Sequence, residues 1–300
     1  MTSADAPRIV AVVNPISGGG AAKQQWPAVA AELDRLGVSD VEVIESESSA
    51  HATRVATEAA RSGALTVAVG GDGHVRDVAE GVLAVDGAQM GVAAAGRGND
   101  LVRHLGLPLE PTAIAAVLAG GRVRRMDVFD VERPDGTTAV AVGNVYVGLD
   151  SVATELINRL RWMGRVSYRI APVLTALRWK PFQVALTVDG VRHESSAHIV
   201  VVANSGDYGH GLRMVPTASV DSGEIQVMLI RGDHSKYRLA SLMKQAKTGA
   251  HAGREEIEFL SGTTITLDAD RQLPVHADGD LLSAFPVTVT VRPGALPILV

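Results

Sequence analysis

The chain predicts a parallel α/β domain followed by a mainly antiparallel β domain with helical insertions. Three observations carry this. Short β-branched apolar runs alternate with helix-like segments through the first 125 or so residues. Three of those runs end in glycine-rich loops. Beyond residue 122 the rhythm changes to short strands, punctuated by Asp189-Gly190 and Asp278-Gly279, the dipeptides that favour tight hairpins.

In order, residues 8–13 (RIVAVV) read as a buried parallel strand ending at Asn14-Pro15. The loop 14–20 (NPISGGG) leads into a helix over 21–36, stopped by Gly37. A strand at 41–44, a helix at 49–62 and a strand at 65–69 follow. Gly70-Gly71-Asp72-Gly73 then opens a helix over 74–83. A fourth strand, 90–94, runs into Gly96-Arg97-Gly98-Asn99-Asp100, with helices near 101–104 and 111–119. Parallel strands with right-handed crossovers place ligands beyond their carboxyl ends, so the three glycine loops are expected on one edge. The second half reads as strands at 124–131, 138–142, 182–188, 198–203, 224–230, 257–259, 263–267 and 287–291. Helical stretches at 151–177 and 235–249 interrupt them. The expected domains are 1–127 and 128–300, packed with a cleft between them, and residues 287–300 are candidates to return to the first domain.

Composition narrows the function classes. The chain has 300 residues, 46% hydrophobic, enough for a sizeable core. The formal net charge of -5 supplies no positive field for nucleic acid, so no nucleic-acid partner is expected. Cysteine is absent, which excludes disulfides, thiolate catalysis and cysteine-ligated zinc. The first ten residues lack a signal-peptide pattern, and no apolar run approaches the ~20 residues of a spanning helix.

Phosphoryl transfer needs backbone donors around the donor phosphates, carboxylates to place Mg²⁺, and a group that handles the acceptor hydroxyl. Gly70, Gly71 and Gly73 suit the first task, because no Cβ blocks the approach. Asp72 is a candidate for a metal-bound water, a ribose or a phosphate-linked group; alternatively it caps a glycine-rich turn. Asn14 and Gly96 lie in loops on the same expected edge. Asn99 and Asp100 read either as a helix-capping pair or, for Asp100, as a second carboxylate near Asp72. Asp127, in a predicted strand, is a third metal candidate or a junction hydrogen-bonding group.

The order NPxSGxG, GGDG, GxGND and a closing DGD resembles the diacylglycerol kinase catalytic family, which includes bacterial lipid kinases and sphingosine kinases. The matches run through Asn14-Pro15, Ser17-Gly18, Gly70 to Gly73, Gly96, Gly98 to Asp100, Asn204, Tyr208-Gly209, Gly211, Pro216, Ala218, Asp221, Gly223 and Asp278-Gly279. NAD kinases and phosphofructokinases share GGDG, but the second half looks like the lipid kinases. The resemblance implies a Rossmann-like first domain that binds ATP and a β-sandwich second domain, with the active site in the interdomain cleft. Nucleotide binding maps to Asn14, Gly70, Gly71, Asp72, Gly73, Gly96, Arg97 and Asn99. The Mg²⁺ network maps to Asp72, Asp100 and Asp127, and the general base to Asp278, for which a plain Asp-Gly turn is the other reading. The implied partner is a lipid substrate met through transient peripheral membrane contact, in the cytoplasm at the inner membrane face; a homodimer is compatible with the chain. The competing readings are a relative that binds nucleotide or lipid without catalysis and an NAD kinase-like enzyme.

The chain departs from the family pattern at five places. His74 and Arg97 stand where the family keeps Thr: Arg97 suits a bidentate phosphate clamp, while His74 either crowds a phosphate or contacts it when protonated. Asp280 replaces Glu. His210 interrupts a glycine triplet. Ser222 stands where a carboxylate holds a structural Mg²⁺ in bacterial relatives. Separately, Arg159, Arg161, Arg165, Arg169, Trp162 and Trp179 form a basic, aromatic helical region: a solvated face, or a surface for anionic lipid headgroups.

Overall fold

A computed structural model describes residues 7–300 apart from Arg97 and His210; the side chains of Arg161, Arg165, Tyr168 and Arg169 also lie outside the described residues. The chain divides into two compact units. The first takes in the described residues of Met1–Asp127, Gly209–Gly211 and Gly294–Val300; the second comprises Val128–Tyr208 and Leu212–Pro293.

In the first unit the elements are β1 (Ile9–Val13), α1 (Ala21–Arg35), β2 (Val41–Glu45), α2 (Ser49–Arg61), β3 (Leu65–Gly70), α3 (Asp72–Leu83), β4 (Met90–Ala94), α4 (Asp100–Leu105) and α5 (Pro111–Gly120). The strands pair in parallel in the order β2-β1-β3-β4, with Ile9 opposite both Val41 and Leu65 and Thr66 opposite Met90. Ile298, near the C-terminus, adds a parallel bridge to Met90. Alternation along the buried strands assigns each face. Ile9, Ala11 and Val13 pack with Trp26, Val29 and Leu33 of α1 and with Ile114 and Leu118 of α5, while Val10 packs with Ala59 and Ala64 on the other side. A Cβ on Gly81 would lie 2.3 Å from the Thr53 carbonyl oxygen, so α3 approaches α2 only because position 81 is glycine.

In the second unit lie the second half of β5 (Val123–Glu132), then β6 (Thr138–Ala141), β7 (Asn144–Gly148), α6 (Leu149–Arg159), α7 (Ser167–Arg178), β8 (Phe182–Val188), β9 (Val191–Ala203), β10 (Asp207–Tyr208), β11 (Leu212–Arg213), β12 (Ile225–Arg231), α8 (Leu239–Ala246), β13 (Ile257–Gly262), β14 (Thr264–Ala269), β15 (Val275–Ala277), β16 (Asp280–Ser283) and the start of β17 (Val287–Leu299). Pairing is antiparallel. The first half of β9 lies against β8, and its second half lies against β7 and β12. Period-two burial makes the sandwich. Val145, Val147, Val200, Val202, Val227 and Leu229 face an interior shared with Phe129, Phe182, Ile265 and Val289. The intervening Tyr146, Ile199, Val201, Met228 and Ile230 face a second cluster closed by Leu239, Leu242 and Ala246 of α8.

Both Asp-Gly dipeptides are two-residue hairpin turns with positive φ at each position: 46° and 86° at Asp189 and Gly190, 51° and 93° at Asp278 and Gly279. The helical stretch expected at 151–177 is broken. Gly164 (φ 58°, ψ -132°), inside a 3₁₀ turn over Arg161–Val166, separates α6 from α7. The sequence reading missed β7, β15 and β16, which are short and owe their strand character to their neighbours (His276 of β15 pairs with Tyr146 of β7).

Candidate active site

At the carboxyl edge of the first unit three loops touch through missing side chains. Asn14 donates its amide to Val69 O (3.0 Å) and accepts at Oδ1 from the Ile16 amide (3.2 Å), which turns the chain after β1. Gly18, Gly19 and Gly20 follow, all with positive φ. A Cβ on Gly18 would lie 2.2 Å from Ala95 O. One on Gly96 would lie 2.5 Å from Gly71 Cα, and one on Gly71 would lie 3.4 Å from Ser17 Oγ. The loops after β1, β3 and β4 therefore form one surface of closely packed backbone. Gly70 is needed for a local reason, since its Cβ would meet the ring of His74 at 2.7 Å. Gly73 lies in the first turn of α3.

Asn99 does not cap α4 with its side chain. With φ at 54° it folds back, accepts from the Gly96 amide (2.9 Å) and donates to Gly96 O (3.2 Å), closing its own loop. Asp72 reaches the start of α4 and accepts there from the amides of Asn99, Asp100 and Leu101. Burial and the neighbouring Asp100 charge nevertheless raise its pKa, the largest cause being burial. Asp100 Oδ1 accepts from the Gly211 amide at 2.7 Å. Asp127 is buried and accepts from the Gly294 amide at 2.7 Å, within the first unit. Asp72 and Asp100 thus come together, whereas no group of three His, Asp or Glu residues that could hold a metal ion occurs among the described residues. A close, partly desolvated carboxylate pair is nonetheless a donor set that a hard cation relieves, and Mg²⁺ commonly takes only one or two carboxylates besides phosphates and water.

His74 neither crowds the loops nor offers a free cation. Its ring is buried, and Nε2 donates to Val12 O at 2.8 Å, tying α3 to β1. Burial lowers its pKa, which favours the neutral ring. Arg97 and His210 lie outside the described residues. Ser222 closes its own turn: its hydroxyl lies 3.0 Å from Ser219 O and 3.1 Å from Glu224 O, and it accepts from the Glu224 amide at 3.2 Å. A hydroxyl engaged in this way does not fit the structural Mg²⁺ that the family pattern implies there.

In the second unit Asp278 heads the β15–β16 hairpin. Its Oδ2 accepts from the Val142 amide (2.9 Å) and its Oδ1 from the amides of Gly143 (2.8 Å) and Asn144 (3.2 Å). Asp189, in the same turn type, also accepts backbone amides, those of Thr263 and Thr264, but at an exposed position. Turn chemistry alone therefore does not single out Asp278; its surroundings do. Two residues before it, in β15, His276 is fully buried, with Nε2 3.2 Å from Glu155 Oε1 and its ring stacked on Tyr146 at 5.4 Å. Tyr146 contacts Tyr208, whose hydroxyl donates to Asp150 Oδ2 at 2.9 Å. Burial pushes the Asp150 carboxyl up to about 6. The sequence reading overlooked Asp150 and Glu155, because acids inside a helix look solvated, and it did not single out His276. His198 is likewise held structurally, accepting from Trp179 Nε1 at Nδ1 (3.1 Å). Trp179 is buried and so does not belong to the exposed basic, aromatic region, whereas Trp162 is 80% exposed.

One chain thus joins a doubly wound unit, with converging glycine loops and an acidic pair, to an antiparallel sandwich with a carboxylate at a hairpin tip. The profile of the diacylglycerol kinase catalytic domain matches residues 8–131, and that of the YegS C-terminal NAD kinase beta sandwich-like domain matches residues 143–300. The chain belongs to the diacylglycerol kinase and YegS-like lipid kinase family. It is 29% identical to a diacylglycerol kinase of Mycobacterium tuberculosis over 296 residues, covering 97% of this chain and 94% of that one. A diacylglycerol kinase of Bacillus subtilis is 24% identical over 283 residues, covering 90% and 88%. Among solved structures, a protein of Bacillus anthracis str. Sterne superposes with a TM-score of 0.80 at 20% identity, covering 98% of this chain and 97% of that one, a likeness of fold.

Proposed function

We propose that this protein is an ATP- and Mg²⁺-dependent lipid kinase that phosphorylates a hydroxyl of diacylglycerol or a related long-chain lipid. The observation that carries the reading is the Asp278 carboxylate, held by three amides at the tip of a hairpin in a chain whose relatives across nearly its whole length are named diacylglycerol kinases. Hydrogen bonds of this kind stabilise the ionised carboxylate. In a loose phosphoryl-transfer transition state the acceptor needs orientation more than a strong base. As the acceptor oxygen bonds to the γ-phosphorus, the bond from that phosphorus to the bridging oxygen breaks, and the hydroxyl proton passes to Asp278. The backbone surface of the glycine loops suits the phosphates of ATP. Asp72 and Asp100 would hold Mg²⁺, which when bound neutralises charge developing on those phosphates.

The test is Asp278→Asn with radiolabelled ATP and diacylglycerol in mixed micelles. Product formation should fall ~10²–10⁴-fold while ATP affinity stays within about twofold. Full activity in the variant overturns the assignment, and robust phosphorylation of NAD in place of lipid overturns the substrate class.

A lipid acceptor also calls for peripheral contact with a membrane. Among the described residues no helix is long and apolar enough to cross one. The α6–α7 region supports contact instead: Trp162, Val173 and Leu177 are 80%, 59% and 64% exposed, and residues 156–188 carry six basic side chains and no acidic one. Co-sedimentation with phosphatidylglycerol vesicles should exceed that with phosphatidylcholine vesicles and should fall in Leu177→Glu; equal sedimentation in all three cases removes this face from the proposal.

A further inference from the structure

The Val142–Gly143–Asn144 corner that binds Asp278 is itself held from behind. A trans peptide unit is planar, with its N–H and C=O pointing in opposite directions, so fixing the carbonyl fixes the amide. The peptide that gives the Gly143 N–H to Asp278 Oδ1 has its other end at Val142 O, which accepts from Asn204 Nδ2 at 2.8 Å. The next peptide gives the Asn144 N–H to the same oxygen, and its carbonyl, Gly143 O, accepts from the Asn204 backbone amide at 3.0 Å. One residue thus grips two successive peptide planes and aims both at one carboxylate oxygen. Asn204 is fully buried, so neither bond is shared with bulk solvent. The corner is gripped a second time through Asn144, whose Nδ2 donates to Asp207 O (2.9 Å) and lies 3.3 Å from Ser205 Oγ, while its Oδ1 accepts from the Ser205 amide (3.3 Å). Gly143 completes the fit, because a Cβ there would lie 2.7 Å from Asp278 Oδ1.

We infer that Asn204 is a positioning residue for the reaction: through the Val142 and Gly143 carbonyls it orients the amides that hold Asp278 toward the acceptor hydroxyl. The inference rests on Asp278 being the residue that receives that hydroxyl. Loss of the side-chain donor lets the Val142–Gly143 peptide rotate and Asp278 drift, and a misplacement of about 1 Å in such a group costs on the order of 10²-fold in rate.

Two readouts on Asn204→Asp, which keeps the shape but removes Nδ2–H, test this. Amide exchange of Gly143 should accelerate at least tenfold, as it should in Asp278→Asn. Lipid phosphorylation should lose 10- to 100-fold in kcat with the KM for ATP within twofold. Should Asn204→Asp fail to fold, Gly143→Ala displaces Asp278 without touching Asn204 and should show the same kcat loss and unchanged KM for ATP. A folded Asn204→Asp that keeps wild-type kcat, or whose Gly143 amide stays protected, overturns the inference. Amide exchange needs no turnover, so faster Gly143 exchange in a chain whose wild type phosphorylates no lipid supports the positioning geometry and overturns the kinase reading alone.

Discussion

In the α/β unit the candidate site is made by leaving atoms out, and in the sandwich unit by holding one group in. Gly18 and Gly96 bring three loops together at distances that a single methyl would violate, Gly71 sits tightly against Gly96, and what they present is backbone. Asp278, by contrast, is one carboxylate fixed by three amides, and those amides are fixed in turn by buried asparagines. A surface built from backbone suits a ligand rich in anionic oxygen, such as a nucleotide's phosphates. A single oriented carboxylate suits one proton on one hydroxyl. The two constructions also fail differently. The first fails through sterics, which reach stability and binding together; the second fails through orientation, which reaches rate.

The sharpest way to break this contrast is Gly96→Ala. Its Cβ would fall 2.5 Å from Gly71 Cα and 2.6 Å from Asn99 Oδ1, so two loops must move. We expect a loss of about 2–3 kcal/mol in urea unfolding, the scale of overpacking a close-packed site, with ATP affinity lost alongside. Wild-type stability and affinity in this variant would show that the loops have room, and the backbone-surface account would fall.

A smaller effect tests the electrostatics of the sandwich unit. Burial raises the Asp150 carboxyl to about 6, above its unfolded value near 4. A raised folded pKa favours the protonated form, so any contribution is fully present below about pH 4 and is lost as pH rises through about 6. Ionised Asp150 therefore costs stability at pH 8, on the order of 3 kcal/mol for a shift of this size. Asp150→Asn keeps an acceptor for Tyr208 and should raise Tm by several degrees at pH 8, with little change at pH 4. The same gain at both values would mean that burial of the charge is not the cause.

The smallest expected effect is none at all. Because the Ser222 hydroxyl closes the turn between Ser219 and Glu224, EDTA should leave the Tm of the nucleotide-free protein within about 1 °C. Ser222→Asp replaces that closure with a carboxylate and should make Tm depend on Mg²⁺. A marked fall in the wild type on chelation would show a structural cation at work.

Much of this was legible from residues alone. The apolar runs before Asn14, Gly70 and Gly96 predicted strands, and their common edge follows from parallel topology. The Asp-Gly pairs at 189 and 278 both became hairpin turns, since few other dipeptides accept two positive φ values. Other features depend on partners far along the chain. His74 looked like an intrusion among the phosphate loops, yet its ring turns to Val12, a carbonyl 62 positions away. Asn99 resembled a helix cap but closes its own loop.

By itself, then, the sequence determined the alternation of strand and helix, the glycine-lined edge and the family pattern, because period, turn chemistry and backbone freedom are local properties. Only the tertiary structure decided that Gly71 and Gly96 nearly touch, that Asp72 caps α4 beside Asp100, and that Asn204 stands behind the amides of Asp278. Those facts join residues from about 25 to 135 positions apart, and no local rule fixes which buried donor meets which acceptor until the strands between them have paired.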